Sequence, residues 1–282
     1  MSRGWGRIGL GGGALGSVDD DDAFFLLDAA VERGVRFIDV ARSYGDAEAR
    51  LGRWLRARPG VDVVVCTKGG YGVGVVDWTG AAVARAIDEA RRRSGRERLD
   101  VFLLHSCGRA ALERDDVGDA LRQALEDGKV SDVGYSGDND DLHVALDHAA
   151  DRRFTVIEQS LSLLDGAARI HTLPRARAGG LSVIAKRALA NAPWIEDDGG
   201  PDRTRQRQRW QRACVPDVGV APAELFLRFA AFTPGVDTTL VGTRRVAGLQ
   251  AALDAVERGP LSDDVMLALA PALGRCDDDA LV

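Results

Sequence analysis

Cysteine is scarce in this chain of 282 residues: Cys66, Cys107, Cys214 and Cys276 are the four, and none stands in C-x-x-C spacing. A zinc site or a dithiol redox pair is therefore not what organises the fold, and free thiols are expected. No stretch approaches eighteen consecutive apolar residues, and the opening MSRGWGRIGLGGG has no continuous apolar segment. Neither a spanning helix nor a secretory leader is expected, so the chain reads as cytoplasmic with no membrane partner. Positive charge is not in excess: Lys+Arg 37 against Asp+Glu 43 gives a formal net charge of −6. That balance gives nucleic acid no electrostatic foothold. The acidic run VDDDDAFFLL (18–27) lacks the glycine and terminal glutamate of a calcium loop and suits a helix N-terminus, so no metal site is expected.

What is present is alternation. Short runs rich in β-formers are each followed by a longer helical pattern. After IGLGG near the N-terminus come VRFIDV (35–40), VDVVVCTK (61–68), LDVFLLHS (99–106), VSDVGYS (130–136), FTVIEQS (154–160), LSVIAKR (181–187) and VDTTLVGTR (236–244). The intervening helices are expected over 46–57, 80–95 (with Gly95 as its stop), 109–129, 139–150, a segment around 163–178, and 221–232; the last clear helix is 245–258, followed by a short tail. Alternating β and α implies parallel strands joined by helical crossovers. Eight such units in one chain, with no Pro/Gly/Ser-rich linker, predict an α/β fold of one domain spanning 1–282, a closed (β/α)8 TIM barrel. The one long interruption, 191–219, falls after the seventh strand, where a functional loop is expected.

A barrel of this kind carries its chemistry at the C-terminal ends of its strands. Read in order, those ends offer Asp39 with Tyr44 five residues beyond it, then Lys68, then His105. Singly each has a bland explanation: a helix cap, a packing tyrosine, a core histidine. Jointly they converge on one rim from three consecutive βα turns. A phenol with a reference pKa of about 10 exchanges protons poorly at neutral pH. An adjacent ammonium favours the phenolate, and a carboxylate holds that ammonium in place. A histidine beside them can orient a carbonyl oxygen. The set suits reduction of a C=O, with Tyr44 giving the proton while a hydride arrives from a redox cofactor, because no side chain can deliver one.

The segments RFIDVARSYGDAEARLG, VVVCTKGG, LDVFLLHS, EDGKVSDVGYS, VIEQSLSLLD, VIAKRALANAPW and TLVGTRR resemble the aldo-keto reductase family, in the same order, across nearly the whole chain. The resemblance places the family's catalytic tetrad on Asp39, Tyr44, Lys68 and His105. It implies NADPH, or NADH in its place, bound across the barrel mouth, and a small-molecule carbonyl substrate. The residues it assigns to the cofactor are Ser136, Gly137 and Gln159 near the nicotinamide, Arg187 and Leu189 along the pyrophosphate, Gly242, Thr243 and Arg244 on the phosphate-binding turn before the last helix, and Gln250. Arg244, alone or with Arg245, is the candidate for a 2′-phosphate. The sequence departs from the family pattern at Gly137, Lys186, Gly248 and Ala252, where Asn, an aromatic ring, Arg and Asn are common. The basic run RTRQRQRWQR (203–212) is expected as a helix edge flanking an anionic cofactor, Trp194 as a wall of the substrate pocket, and Cys107 as a passive lining residue near the site.

One motif competes with this reading. Gly9-Leu-Gly11-Gly-Gly-Ala14 satisfies G-x-G-x-x-G/A and is followed by an acidic residue, as in a dinucleotide-binding Rossmann unit. In that unit the acid lies about 20 residues on; Asp39 lies 25 beyond Ala14 and is followed by Tyr44 and Lys68. The glycines are then the first strand and loop of the barrel, with Gly12 the candidate for close approach to the nicotinamide. The expected activity is carbonyl reduction by an oxidoreductase. The alternative is a barrel that binds the nicotinamide cofactor as a regulatory or subunit-type protein with little turnover. The substrate and the choice between monomer and homo-oligomer stay open.

Overall fold

A computed structural model describes residues 3–72, 75–196 and 200–278. Among these, eight parallel strands close into a barrel: β1 (Ile8–Gly11), β2 (Phe37–Asp39), β3 (Val64–Gly69), β4 (Leu99–His105), β5 (Val130–Ser136), β6 (Val156–Ser160), β7 (Ser182–Lys186) and β8 (Thr238–Gly242). Each pairs with its neighbours in sequence, and β1 closes the ring against β8 with Gly11 beside Gly242. The helices are α1 (Asp20–Glu32), α2 (Ala47–Ala57), α3 (Gly80–Ser94), α4 (Arg109–Leu112), α5 (Asp115–Glu126), α6 (Asn139–Asp147), α7 (Leu173–Ala178), α8 (Gly200–Ala213), α9 (Pro222–Phe232), α10 (Val246–Glu257) and α11 (Asp263–Asp278). The barrel reading of the alternating pattern holds.

The barrel interior is built in layers set by the two-residue period of a strand. Phe37, Cys66, Val101, Leu103, Val156, Ile184 and Leu240 pack together inside, with Trp5 plugging the N-terminal end 4.8 Å from the Phe37 ring. Two residues further along the same strands stand Asp39, Lys68, His105, Glu158, Lys186 and Gly242, and β5 adds Ser136 to this ring. The layer above the apolar one is thus wholly polar or glycine. Between strands and helices, a second apolar shell joins α1 and α2 to β1–β3, and a third joins α3, α5 and α6 to β4–β6.

Several segments differ from the sequence expectation. The stretch 109–129 is two helices, α4 and α5, because Arg114 turns extended and the Asp115–Asp116 pair starts a new acidic N-terminus. The segment expected at 163–178 becomes a wide turn over Ala168–Thr172 that runs into the short α7. Pro174, at the start of α7, has no N–H to close the preceding turn in the regular way. The 191–219 interruption contains α8, and residues 197–199 of it lie outside the described residues. The chain past Arg258 is not a brief tail: α11 buries Leu269, Ala272 and Cys276, and Arg275 Nε reaches the Ala213 carbonyl of α8 at 2.9 Å. Gly95 does end α3, with φ of 71°.

Candidate active site

The two short elements that carry Tyr44 and the glycine loop are pinned to each other. After β2 the chain stays stitched to β3, with Val40 N bonded to Cys66 O at 2.9 Å and Arg42 N to Lys68 O at 3.2 Å. It then turns through Tyr44, whose carbonyl starts α2. A Cβ on Gly16, at the end of the β1 loop, would fall 1.9 Å from the Tyr44 carbonyl oxygen. Only glycine permits this approach, so RIGLGGGALG positions the tyrosine. Gly12 is likewise a packing glycine: its Cβ would lie 2.6 Å from Asp39 O, and the residue faces the end of β2.

At the barrel mouth lies a cavity of about 740 Å³ bounded by Gly11, Gly13 and Ala14 of the first loop, by Asp39, Tyr44, His105, Ser136 and Glu158, and by 186–189 with Asn191 and Ala192 after β7. Lys68 is completely buried beneath it and contacts Asp39 Oδ1 directly. Its Nζ also lies 3.4 Å from Val40 O, 3.3 Å from Glu158 Oε2 and 5.2 Å from the centre of the Tyr44 ring. The His105 ring stands edge-on to Tyr44, centroids 5.8 Å apart, and its Nδ1 is 3.2 Å from Ser43 Oγ. The tetrad residues named from sequence come together.

The electrostatics follow from burial. Removal from water pushes the Tyr44 phenol up to about 12, with Asp39 and Glu158 adding to the rise and Lys68 opposing it. The ammonium does favour the phenolate, but burial and two carboxylates outweigh it, so the phenol is held protonated at neutral pH. Burial pushes the Asp39 carboxyl up to about 7, reinforced by Glu158 and resisted by Lys68. Burial works against the Lys68 ammonium, yet Asp39 and Glu158 prevail and its pKa lies well above the usual value. Burial and Lys68 push His105 down to about 4, so its imidazole is neutral.

Glu158 is the site residue that sequence reading passed over in favour of its neighbour Gln159. It is 1% exposed, accepts a hydrogen bond from Ser136 Oγ at 3.1 Å and lies against Lys68. The strand period carried the signal, since Val156 points into the barrel and Glu158 must follow it. Ligand-type atoms of Asp39, Cys66 and Glu158 fall within 4.8 Å of one another. The Lys68 ammonium takes both carboxylates, so this group is an ion-pair cluster.

The residues expected at a cofactor divide into two sets. Ser136, Arg187, Leu189 and Gly242 line the cavity. Gly11 and Gly242, side by side, leave bare backbone there, and a Cβ on Gly242 would meet nothing closer than 4.0 Å. Arg244 is exposed just before α10 and has no ion-pair partner among the described residues, while Thr243 Oγ1 accepts a hydrogen bond from Arg245 N at 3.1 Å. Gly12, Gly137, Gln159 and Gln250 stand away from the cavity. Gly137 packs on the Tyr135 ring. Gln159 Oε1 accepts from Thr172 Oγ1 and the residue lines an adjoining cavity of about 290 Å³. Gln250 accepts from Arg33 Nε at 2.5 Å and donates to Asp254 at 2.6 Å.

Arg187, Asn191 and Ala192, together with Ser106, hold φ between 53° and 58° while lining the cavity. Left-handed conformations at non-glycine residues cost energy and concentrate at functional sites. From the basic run, Arg203 of α8 reaches the cavity with its Nε 3.0 Å from Asn191 O, whereas Arg209 turns back onto Asp165. Trp194 is not a pocket wall: its ring packs against Phe226 at 5.2 Å and Trp210 at 6.2 Å, in an apolar cluster that includes α11 residues. Its ring partners come from α8 and α9. Cys107 is fully buried, and burial pushes its thiol up to about 12.

A parallel barrel with a tyrosine over a buried lysine–carboxylate pair at its C-terminal mouth defines an oxidoreductase of the barrel type. The sequence model of the Aldo/keto reductase family matches residues 7–272, and the chain belongs to that family. An uncharacterized oxidoreductase, YrpG, of Bacillus subtilis (strain 168) is 27% identical over 275 residues, covering 85% of this chain and 83% of its own. The L-galactose dehydrogenase of Arabidopsis thaliana is 24% identical over 267 residues, covering 88% and 83%. Among solved structures, the holo form of the aldo-keto reductase AKR11C1 from Bacillus halodurans superposes with a TM-score of 0.80 at 21% identity, over 94% of this chain and 91% of that one. No helix among the described residues is long and apolar enough to cross a membrane.

Proposed function

We propose that this protein reduces an aldehyde or ketone to an alcohol with NADPH, or with NADH in its place, and that Tyr44 is the proton donor. The observation that carries this reading is the Tyr44 phenol, held over the buried Lys68–Asp39 pair and beside a neutral His105 in one cavity. The cavity suits a dinucleotide: bare backbone at Gly11 and Gly242 lets a flat ring approach, and Arg187 and Arg244 offer guanidinium groups to phosphates. When bound, the reduced nicotinamide supplies the hydride.

The protein's own groups handle the proton. Tyr44, protonated at neutral pH, gives its proton to the carbonyl oxygen as negative charge develops there. The phenolate left behind faces the Lys68 ammonium, which Asp39 and Glu158 keep charged. His105, neutral and at the cavity wall, can donate a hydrogen bond to the same oxygen. Arg187 and the strained turn after β7 bound the cavity on a side away from the Tyr44 loop.

The test is a panel of aldehydes and ketones added to purified protein with NADPH and separately with NADH. Substrate-dependent loss of the reduced-nicotinamide absorbance is expected, and Tyr44→Phe should abolish it while leaving cofactor binding in place. Equal turnover by Tyr44→Phe would sink the assigned role. Cofactor binding with no turnover on any carbonyl would favour the regulatory reading instead.

A further inference from the structure

We propose that Glu158 is a specificity-determining residue that biases the site toward the oxidised, positively charged form of the nicotinamide. The inference rests on the cofactor reading above and goes beyond it, because the sequence gives Glu158 no role.

The strand period turns Glu158 inward, two residues above Val156, into the same ring as Asp39, Lys68 and Ser136. It is nearly inaccessible to bulk water but lines the cavity. One carboxylate oxygen is used by Ser136. The other, Oε2, is close to Lys68 without the geometry of a hydrogen bond and is left without a hydrogen-bond partner. Lys68 is already in direct contact with Asp39, so a single ammonium faces two carboxylates and cannot cancel both.

Among the described residues no cation other than Lys68 contacts Glu158. Lys186, at the end of β7, and Arg187, just after it, each lie 3.4 Å from Asp138, and Lys186 Nζ stands 3.5 Å from Ser136 Oγ, one hydroxyl away from Glu158. His105, from β4, is neutral, as is Tyr44, from the loop after β2. Cys66, below on β3, has its thiol pushed up by burial and by Asp39. Glu158 therefore turns toward the cavity a buried carboxyl group with one oxygen lacking a hydrogen-bond partner.

Hydride and proton are added to the two ends of one C=O bond, so a nicotinamide acting with Tyr44 must lie within a few ångströms of the phenol and of this ring. The reduced ring is neutral and the oxidised ring carries a positive charge. A fixed carboxylate discriminates between them through that difference alone, and only a differential interaction shifts such an equilibrium.

The experiment is calorimetric titration of the wild-type protein, Glu158→Gln, Glu158→Asp and Ser136→Ala with NADP+ and with NADPH, each alone and without substrate. The measured quantity is the ratio of the two dissociation constants. Glu158→Gln is expected to shift that ratio against NADP+ by on the order of tenfold. Glu158→Asp, which restores the charge, and Ser136→Ala, which keeps it, are expected to hold the ratio within about threefold of wild type. Equal weakening of both forms in Glu158→Gln would show a merely structural residue and overturn the proposal, as would an unchanged ratio. Should Glu158→Gln fail to fold, a shifted ratio in Ser136→Ala overturns it, and a preserved ratio there and in Glu158→Asp supports it. If the wild-type protein binds neither form, the cofactor reading itself fails, which is a different outcome from binding with no change in ratio.

Discussion

Neutralising the two carboxylates that share Lys68 should give strongly non-additive losses of stability. The 3.3 Å contact of Glu158 Oε2 with Lys68 Nζ is worth about 5 kcal/mol of attraction at an effective dielectric constant of about 20. Oxygens of Asp39 and Glu158 lie within 4.8 Å of each other, a repulsion of about 3 to 4 kcal/mol on the same footing. Glu158→Gln alone therefore removes an attraction and a repulsion together, for a net cost of about 1 to 2 kcal/mol. In an Asp39→Asn background no repulsion remains to be relieved, and the same substitution should cost about 4 to 5 kcal/mol, because it leaves a buried ammonium unpaired. The coupling energy is then about 3 kcal/mol. Urea denaturation of the four proteins measures it, at pH 8.5, above the Asp39 carboxyl at about 7. Additive losses, within about 0.5 kcal/mol, would refute the picture of one ammonium held between two competing carboxylates.

Three further outcomes follow from the same geometry. His105 is neutral in the folded protein with its pKa down at about 4, against 6.5 when unfolded, so the unfolded chain gains a proton first as the medium is acidified. The wild type should thus lose about 3 kcal/mol relative to His105→Asn between pH 6.5 and 4, read from denaturation midpoints; parallel pH profiles would contradict the burial argument. Gly16→Ala puts a methyl 1.9 Å from the Tyr44 carbonyl and should lower turnover at least tenfold by shifting the tyrosine loop, with Gly274→Ala on α11, where a Cβ meets nothing within 4 Å, as the control. Iodoacetamide should alkylate the exposed Cys214 in the native protein and spare the buried Cys66, Cys107 and Cys276, as mass spectrometry of the modified peptides would show; rapid modification of Cys107 would mean that it is open to the site.

The sequence by itself determined the barrel and the ends of its strands. Its alternation of short apolar runs with amphipathic helices is a local pattern with two periods, and the placing of Asp39, Lys68 and His105 within a residue of the end of a run follows from counting along each strand. Gly95 was legible for the same reason, since a helix stop is a local requirement. What only the tertiary structure decided is which strand ends meet across the barrel. Glu158 reaches Lys68 from ninety residues further along the chain because closure of the β1–β8 seam curls β6 to face β3. The strand period turns Gln159 away from the cavity onto Thr172, and the pairing of β1 with β2 brings Gly16 under Tyr44. α11 escaped because Pro271 interrupts its pattern and its apolar face is explained only by distant partners, α9 and the α8 hidden inside a long insertion. The directions of the pKa shifts also needed the fold: an ammonium beside a phenol predicts one sign, and burial with two carboxylates imposes the other. Composition and spacing fix which groups are present at the rim, whereas desolvation and through-space charge depend on distances that only the closed barrel sets.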